Sequence, residues 1–555
     1  MPDIYNKLKE MVGIEMSDQE KEKFDDKVKD DDLISQIKLW EQESQDFYGM
    51  LKTIWEENLR YYKGDQTDVW KIYGKNSKAV ENRIWMAIET MIPIATSRPP
   101  DIVAFSGDES EMGQKEAQDL QDVLNFHFDR LGFQEMAERW IRDMIIKRYG
   151  VFRIDWNKEK DDVALVVVDP RRIRVPKYGK TVYDLKFIIE YMEMSYDSMV
   201  RYFGEEVVKK LGMPQTEVDE SKKVRKKNYP ITLCWTNETR VFISGNTVLK
   251  SEPNPYYDFK DKKKNYLDCP KKPYVIKSLF ETEESLIGDT DYIQQTIPQQ
   301  DTINNFLRRA ENIARKVSNP DLLIDSDVMS EEKASDITNE EGQIIYGKDA
   351  ANGNKIRYQT PGQVPQYIFE LIQSGRTEFD NIWGIHSTTR GEREGRETLG
   401  GRKMLKQADL GRIDLITRQL ERAIDEIAEY FTQLIKLYYS ADKSFSILGE
   451  DGLRFVNKFN GEKINDVKLV VKPGSTLPKD EITIHDEAIQ LFMNKAIGIK
   501  TLYKMLKLPN IPDAIDDYIQ TQSGAIFQPK PTQPLTGNVP LNEGLKGSNI
   551  ENIMA

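Results

Sequence analysis

Residues 384–398 read Gly384-Ile385-His386-Ser387-Thr388-Thr389-Arg390-Gly391-Glu392-Arg393-Glu394-Gly395-Arg396-Glu397-Thr398, and a long periodic stretch follows from Leu399 to Tyr438. Apart from the imidazole of His386, nothing from His386 to Thr398 is aliphatic or aromatic, so the segment has no side chain suited to a core. Loops of this length inside a domain are uncommon and are usually functional or disordered. In the stretch that follows, Ile413, Ile416, Leu420, Ala423, Ile427, Tyr430, Leu434 and Leu437 recur in steps of three and four. Ile413, Leu420, Ile427 and Leu434 stand seven apart, which predicts one amphipathic helix over 399–438. At 1.5 Å per residue it would be roughly 60 Å long. By spacing alone this is a coiled coil or core helix behind an exposed connection.

Working outward, Pro365 to Ile382 predicts a second amphipathic helix with Pro365 at its first turn. Asp289 to Val317 predicts a third, which Pro298 should kink or begin. Between them, 322–324, 343–346 and 355–358 read as three short strands. The order is therefore helix, small β insert, helix, polar loop, long helix.

The rest of the chain mixes both periods. Helices are expected over 16–60, with Leu33, Ile34, Ile37 and Trp40 on one stripe, then over 82–95 and in two pieces over 112–149. Strands are expected at 101–105, 151–156 and 163–168. A hairpin turning at Gly245-Asn246 follows, and 453–459 with 467–472 reads as a further β pair. Residues 480–506 return to helix, and 522–555 carry little to bury.

The 555 residues allow several domains, and 31% of them are charged. No apolar run is long enough to span a membrane, and the N-terminal residues lack the pattern of a secretory signal. Two cysteines, Cys234 and Cys269, exclude a disulfide framework, and three scattered histidines show no metal cluster. A net charge of −13 argues against tight sequence-independent binding of duplex DNA, which needs cations to displace counterions.

Catalytic signals are weak. Gly179-Lys180-Thr181 lacks the earlier glycine of a phosphate loop, Arg174 standing in its place. Asp321 with Glu331 and Glu332 fits a loose metal-nuclease pattern, but Ser330 before two glutamates reads better as a helix cap. His485-Asp486-Glu487 reads as a helix start. Arg308, Arg309, Arg390, Arg393 and Arg396 are suited to phosphate, yet each has acidic or polar neighbours.

Several phrases resemble, in order, the portal (head–tail connector) proteins of tailed bacteriophages over about residues 50–510. They are Asn58-Leu59-Arg60-Tyr61-Tyr62-Lys63-Gly64-Asp65-Gln66, the 96–100 segment, Asp169-Pro170-Arg171-Arg172-Ile173, Pro253-Asn254-Pro255-Tyr256 and Ile287-Gly288-Asp289-Thr290-Asp291. The resemblance implies an α+β, helix-rich, multidomain subunit that forms a twelve-membered ring around a DNA channel. It implies a wing at 1–284, a first stem helix at 285–317, a clip at 318–361 and a second stem helix at 362–385. A tunnel loop at 386–398, a long helix at 399–440, a wing β return at 441–475 and a helical crown at 476–521 would follow. Residues 522–555 would form an extended or disordered tail.

On that reading the tunnel loop offers His386, Ser387, Thr388, Thr389, Arg390, Glu392, Arg393 and Arg396 to DNA. The clip has nine acids against four bases and would dock the packaging motor through Asp325, Asp327, Glu331, Glu332, Glu340 and Glu341. Ile413, Leu420, Ile427 and Leu434 would pack between subunits. No cofactor and no catalysis are expected. The implied partners are double-stranded DNA, the large terminase, major capsid and scaffold proteins, and head-completion or tail adaptors, with no membrane. The protein would reside at the capsid vertex of the virion, after assembly in the host cytoplasm. Two other readings stay open: a different virion structural or scaffold protein, and a metal-dependent DNA-processing enzyme using Asp321 and Glu331.

Overall fold

The computed structural model describes residues 18–67, 77–98, 100–107, 110–209, 211–212, 216–218, 224–226, 228–281, 285–337, 344–359, 362, 365–386, 389, 399–439, 443–448, 454–461, 464, 467–471 and 488–506. By packing, the chain divides into two units: 1–447 with 455–478, and 448–454 with 479–555.

The first unit opens on α1 (Asp18–Tyr62), a single 45-residue helix where the sequence suggested several. Three of the four residues of the expected stripe, Ile34, Ile37 and Trp40, pack on Phe187, Ile189, Cys234, Val241 and Ile243, with Trp40 stacked on Phe187 at 4.9 Å. Next come α2 (Arg83–Ala95), capped by the Asn82 side chain, β1 (Ile102–Ser106), α3 (Glu111–Arg130) and α4 (Phe133–Lys147). The strands β2 (Tyr149–Asn157) and β3 (Asp162–Val168) form an antiparallel pair. α4 lies on β2, with the Trp140 indole stacked on Phe152 at 5.2 Å. Gly150 sits directly under that indole, where any Cβ would lie 2.6 Å from the ring, so only glycine fits.

A five-stranded antiparallel sheet, ordered β10-β9-β8-β5-β4, follows. Its members are β4 (Ile173–Arg174) and β5 (Ile188–Ser195), then, after α5 (Tyr196–Phe203), α6 (Glu205–Lys209) and the small pair β6 (Thr216–Val218) and β7 (Val224–Lys226), β8 (Asn228–Trp235), β9 (Thr239–Ser244) and β10 (Thr247–Pro253). The hairpin expected at Gly245 joins β9 to β10, with Gly245 at φ 59°. β11 (Tyr274–Ser278) then pairs with β2.

α7 (Tyr292–Ser318) is capped by Asp291, whose side chain accepts from the Gln294 amide. Pro298 neither begins nor ends this helix but lies inside it. The insert follows: β12 (Leu322–Asp325), α8 (Glu331–Ser335), β13 (Ile344–Gly347) and β14 (Ile356–Tyr358). β12 is central, parallel to β13 and antiparallel to β14. Ser330 occupies the N-cap of α8 with two glutamates in the first turn, as expected, but its side chain makes no capping hydrogen bond. α9 (Gln366–Trp383) returns along α7, and α10 (Leu399–Tyr438) spans the whole predicted stretch.

The four heptad residues assigned to subunit packing need correction. Ile413, Leu420, Ile427 and Leu434 are at most 1% exposed and belong to the subunit's own main core, with Phe431, Ile435, Trp140 and Phe152. α10 is enclosed by β11, β2, β3, the later strand Val467–Val471 and helices of its own chain, so that stripe is unavailable to a neighbour. A second correction concerns the last strands. β16 (Arg454–Phe459) pairs with β15 (Lys443–Leu448), while β17 (Val467–Val471) pairs with β1, register Ile102↔Val471. The predicted 453–459 and 467–472 strands therefore exist but are not partners.

In the second unit, 488–493 and α11 (Ile499–Met505) are helical, with Ala488 and Leu502 buried. The tail 522–555 and His485 lie outside the described residues.

Several phrases that carry the family resemblance prove to be polar joints. The Asn58 side chain donates to Ile146 O at 2.9 Å. Asp169 accepts from Lys147 Nζ at 2.9 Å and from Arg171. Asn254 donates to Asn237 O and Lys271 O, and Asp291 pairs with Arg148 at 2.7 Å. Buried polar groups must be paired, and here they fix how loops meet the core.

Candidate functional site

The candidate site is the α7–α9 hairpin with the insert between its helices and the joint from α9 to α10 at its base. The hairpin holds together along a thin apolar seam. Ala310, Ile368 and Ile372 are buried with Phe306 and Ile313 against them. Nearer the base, Trp383 is fully buried, stacks on Tyr292 at 4.9 Å and donates from Nε1 to Thr296 Oγ1 at 3.3 Å. Gly375 faces Ile303 so closely that a Cβ would meet it at 3.0 Å.

One flank of the hairpin is covered by a strap, residues 77–83. The Ser77 amide donates to Asn312, the Glu81 amide to Asn304 and the Arg83 amide to Gln300. Arg308, offered by the sequence as a phosphate contact, is buried and donates instead to the Ala79 and Gln66 carbonyls. Glu81 receives Arg83 at 3.0 Å and Arg376 at 2.6 Å, and Arg83 also reaches Asp380 at 2.5 Å. Burial pushes the Glu81 carboxyl up, but hydrogen bonds from Arg376 and Arg83 outweigh it and hold the group below its ordinary value.

At the joint, α9 ends on Gly384 in the left-handed region at φ 66°, whose amide donates to Asp380 O at 2.7 Å. Arg412 packs where a Cβ of residue 384 would stand and donates to Ile382 O at 3.1 Å. Asp409 on α10 then gathers the start of the loop. It accepts from the His386 amide at 3.2 Å, lies 2.7 Å from His386 Nδ1 and accepts from the Thr389 hydroxyl. Asn381 Oδ1 sits 3.2 Å from His386 Nε2. Asp409 is 3% exposed, so this carboxylate depends on those partners.

The structure thus brings two of the expected loop residues, His386 and Thr389, onto one carboxylate that sequence reasoning did not select. A signal was present: Asp409 lies four residues before Ile413, a polar residue on the buried stripe. Ser387, Thr388, Arg390, Glu392, Arg393 and Arg396 lie outside the described residues.

In the insert, Asp327, Glu331 and Glu332 are exposed and Asp325 is half-buried, accepting from the Asp327 amide at 3.2 Å. Glu340 and Glu341 lie outside the described residues. Asp321 stands at the entrance to β12 and its carbonyl accepts from the Gln359 amide at 2.8 Å. Among the described residues, no three His, Cys, Asp or Glu side chains gather to hold a metal ion. Cys234 is buried, and burial pushes its thiol up to about 12, which keeps it protonated and unreactive.

The family model described as phage P22-like portal protein matches residues 239–534, more than half of the chain, and covers the hairpin, the insert, the joint and α10. No curated protein matches.

Proposed function

Because the chain belongs to the P22-like phage portal protein family, a structural family of the capsid vertex, we propose that it forms a twelve-subunit channel through which double-stranded DNA is packaged and later ejected. The single observation that carries this reading is the family match across the succession α7, three-stranded insert, α9, α10. In that succession α7 and α9 are the stem helices, 318–361 is the clip and 386–398 is the tunnel loop. The rest of the first unit through residue 284 is the wing, joined by 441–475, and 476–521 is the crown.

Family membership makes the protein a structural part of the virion with an oligomeric ring and capsid partners. The finer assignments are proposals. The exposed Asp327, Glu331 and Glu332 of the insert, with Asp325 beside them, steer a basic surface of the large terminase and later the adaptors. The tunnel loop balances Arg390, Arg393 and Arg396 against Glu392, Glu394 and Glu397. Its arginine–phosphate contacts therefore form and release as the duplex slides, instead of gripping it. The anchoring of His386 and Thr389 on Asp409 supports this reading, since it ties the loop's root to α10.

The test is assembly and passage. Negative-stain images and native mass spectrometry of purified protein are expected to show closed rings with a central hole. Deleting 387–397 is expected to leave rings intact while lowering the yield of packaged genome. Monomers at high concentration would overturn the portal reading. Equal packaging by the deletion would remove the loop from the mechanism.

A further inference from the structure

In a chain of net charge −13, one exposed segment has the opposite sign. Residues 258–264 read Asp258-Phe259-Lys260-Asp261-Lys262-Lys263-Lys264, four lysines against two aspartates, and all four lysines are exposed. Several cations elsewhere in the unit sit on anions, as Arg142 does on Glu89, Lys250 on Glu252 and Lys277 on Glu426. Among the described residues, no carboxylate lies within ion-pair distance of Lys260, Lys262, Lys263 or Lys264.

The two aspartates serve the backbone instead of the lysine heads. Asp258 accepts from the Lys260 amide at 2.8 Å and the Asp261 amide at 3.0 Å. Asp261 accepts from the Lys263 amide at 3.1 Å, at the start of a short 3-10 turn, Lys262–Lys264. Buried Asn265 accepts from the Asp258 amide at 2.9 Å and donates to its carbonyl at 2.8 Å. Gln433, fully buried on α10, donates to Asn265 Oδ1 at 2.9 Å and accepts from the Tyr266 and Leu267 amides at 2.6 and 2.8 Å. The lysines therefore stand on a fixed base, and holding like charges together there costs repulsion that a polyanion removes. Gln433 is about 35 Å along α10 from Asp409, which holds the root of the loop 386–398, so the two places are well apart.

We propose that the 260–264 loop is a second contact surface for duplex DNA and meets the phosphate backbone apart from the loop 386–398. Arginine is enriched and lysine depleted where proteins meet proteins, and the planar guanidinium is the group that grips carboxylates two bonds at a time. A run of lysine alone supplies hydrated point charges, suited to a uniform row of phosphates. At about three residues per turn the side chains of 262–264 fan out, so one duplex meets about two of them in each copy. The proposal rests on the portal reading, which brings the ring to duplex DNA, and adds a place where the two meet.

The experiment follows binding of a fluorescein-labelled duplex of mixed sequence to the full-length protein by anisotropy over a range of salt. Lys262→Gln, Lys263→Gln and Lys264→Gln are made together. A control of equal charge combines Lys158→Gln, Lys160→Gln and Lys186→Gln, three exposed lysines elsewhere in the unit. The loop variant is expected to bind at least about tenfold more weakly at low salt, with the slope of log affinity against log salt shallower by about 2 per engaged copy. The control is expected to stay within about twofold of the wild type, since charges away from the contact are screened. Melting temperatures should be unchanged in both. The same loss is expected in protein lacking 387–397, because distant sites act independently. Equal losses in loop variant and control, or none in either, would overturn the proposal. Poly-glutamate that binds these lysines where the duplex does not would assign the loop to an acidic protein surface and overturn it too. Rings that form without the loss overturn this proposal alone. Protein that forms no rings overturns the portal reading, while the affinities of the two variants still decide the loop.

Discussion

α10 and the α7–α9 hairpin carry the same kind of periodic apolar spacing and meet solvent in opposite ways. Along α10, Ile413, Ile416, Leu420, Ile424, Ile427, Phe431, Leu434 and Ile435 are at most 1% exposed. The hairpin buries Ala310, Ile368 and Ile372 and leaves Val317, Tyr367, Phe369 and Leu371 between 40% and 57% exposed. The difference teaches that periodicity tells which face of a helix is apolar, while who covers that face depends on the rest of the fold. α10 is completed by its own subunit. The hairpin, with a strap along one flank, keeps these side chains open to solvent within the subunit.

The largest expected effect lies on the α10 side. Leu420→Ala removes a side chain from the main core and should cost about 2–5 kcal/mol of subunit stability. Chemical denaturation of the subunit measures it, and a loss below about 1 kcal/mol would show that the core is looser than its burial implies. The joint between the two regions comes next. Asp409→Ala takes away the acceptor for the His386 amide and the Thr389 hydroxyl and should cost about 1–3 kcal/mol. Hydrogen exchange at the His386 amide should quicken more than exchange at any amide of the α10 core. Unchanged protection there would mean that the joint is held without the carboxylate.

The smallest effect concerns the strap. Glu81 is held below its ordinary pKa, so the unfolded chain binds the proton more readily than the folded one. Its contribution is present above the unfolded value and is lost as the pH falls through about 4 and below. Acidification should therefore loosen the strap flank of the hairpin before the core of α10 unfolds, seen as faster exchange at the Glu81 and Arg83 amides. In Glu81→Gln that early step should shrink. An identical acid profile for the variant would assign the step to other carboxylates.

Much of this was legible in the sequence for local reasons. The extent of α10, the start of α9 after Pro365, the three strands of the insert and the hairpin at Gly245 each follow from side-chain spacing and turn residues. What was not legible depends on distant partners. Nothing near Val467–Val471 says that it pairs with Ile102–Ser106 instead of with the strand just before it. Nothing in the Ile413–Leu434 spacing separates a subunit core from a subunit interface. Arg308 looked like a phosphate ligand because the carbonyls of Gln66 and Ala79 that claim it come from more than two hundred residues upstream.

The pairing of β1 with β17 has a consequence for synthesis. β1 emerges early, and its partner is translated about 370 residues later, roughly 20–70 s at 5–20 residues per second. Throughout that interval the edge formed by Ile102, Val103 and Phe105 faces the cell without its mate, an open template for any other nascent strand. The subunit cannot complete its core until most of its length has left the ribosome, so ring formation by half-made chains is disfavoured by the order of translation itself. Crowded polysomes, where many such edges wait side by side, are where this protein is most exposed to mispairing.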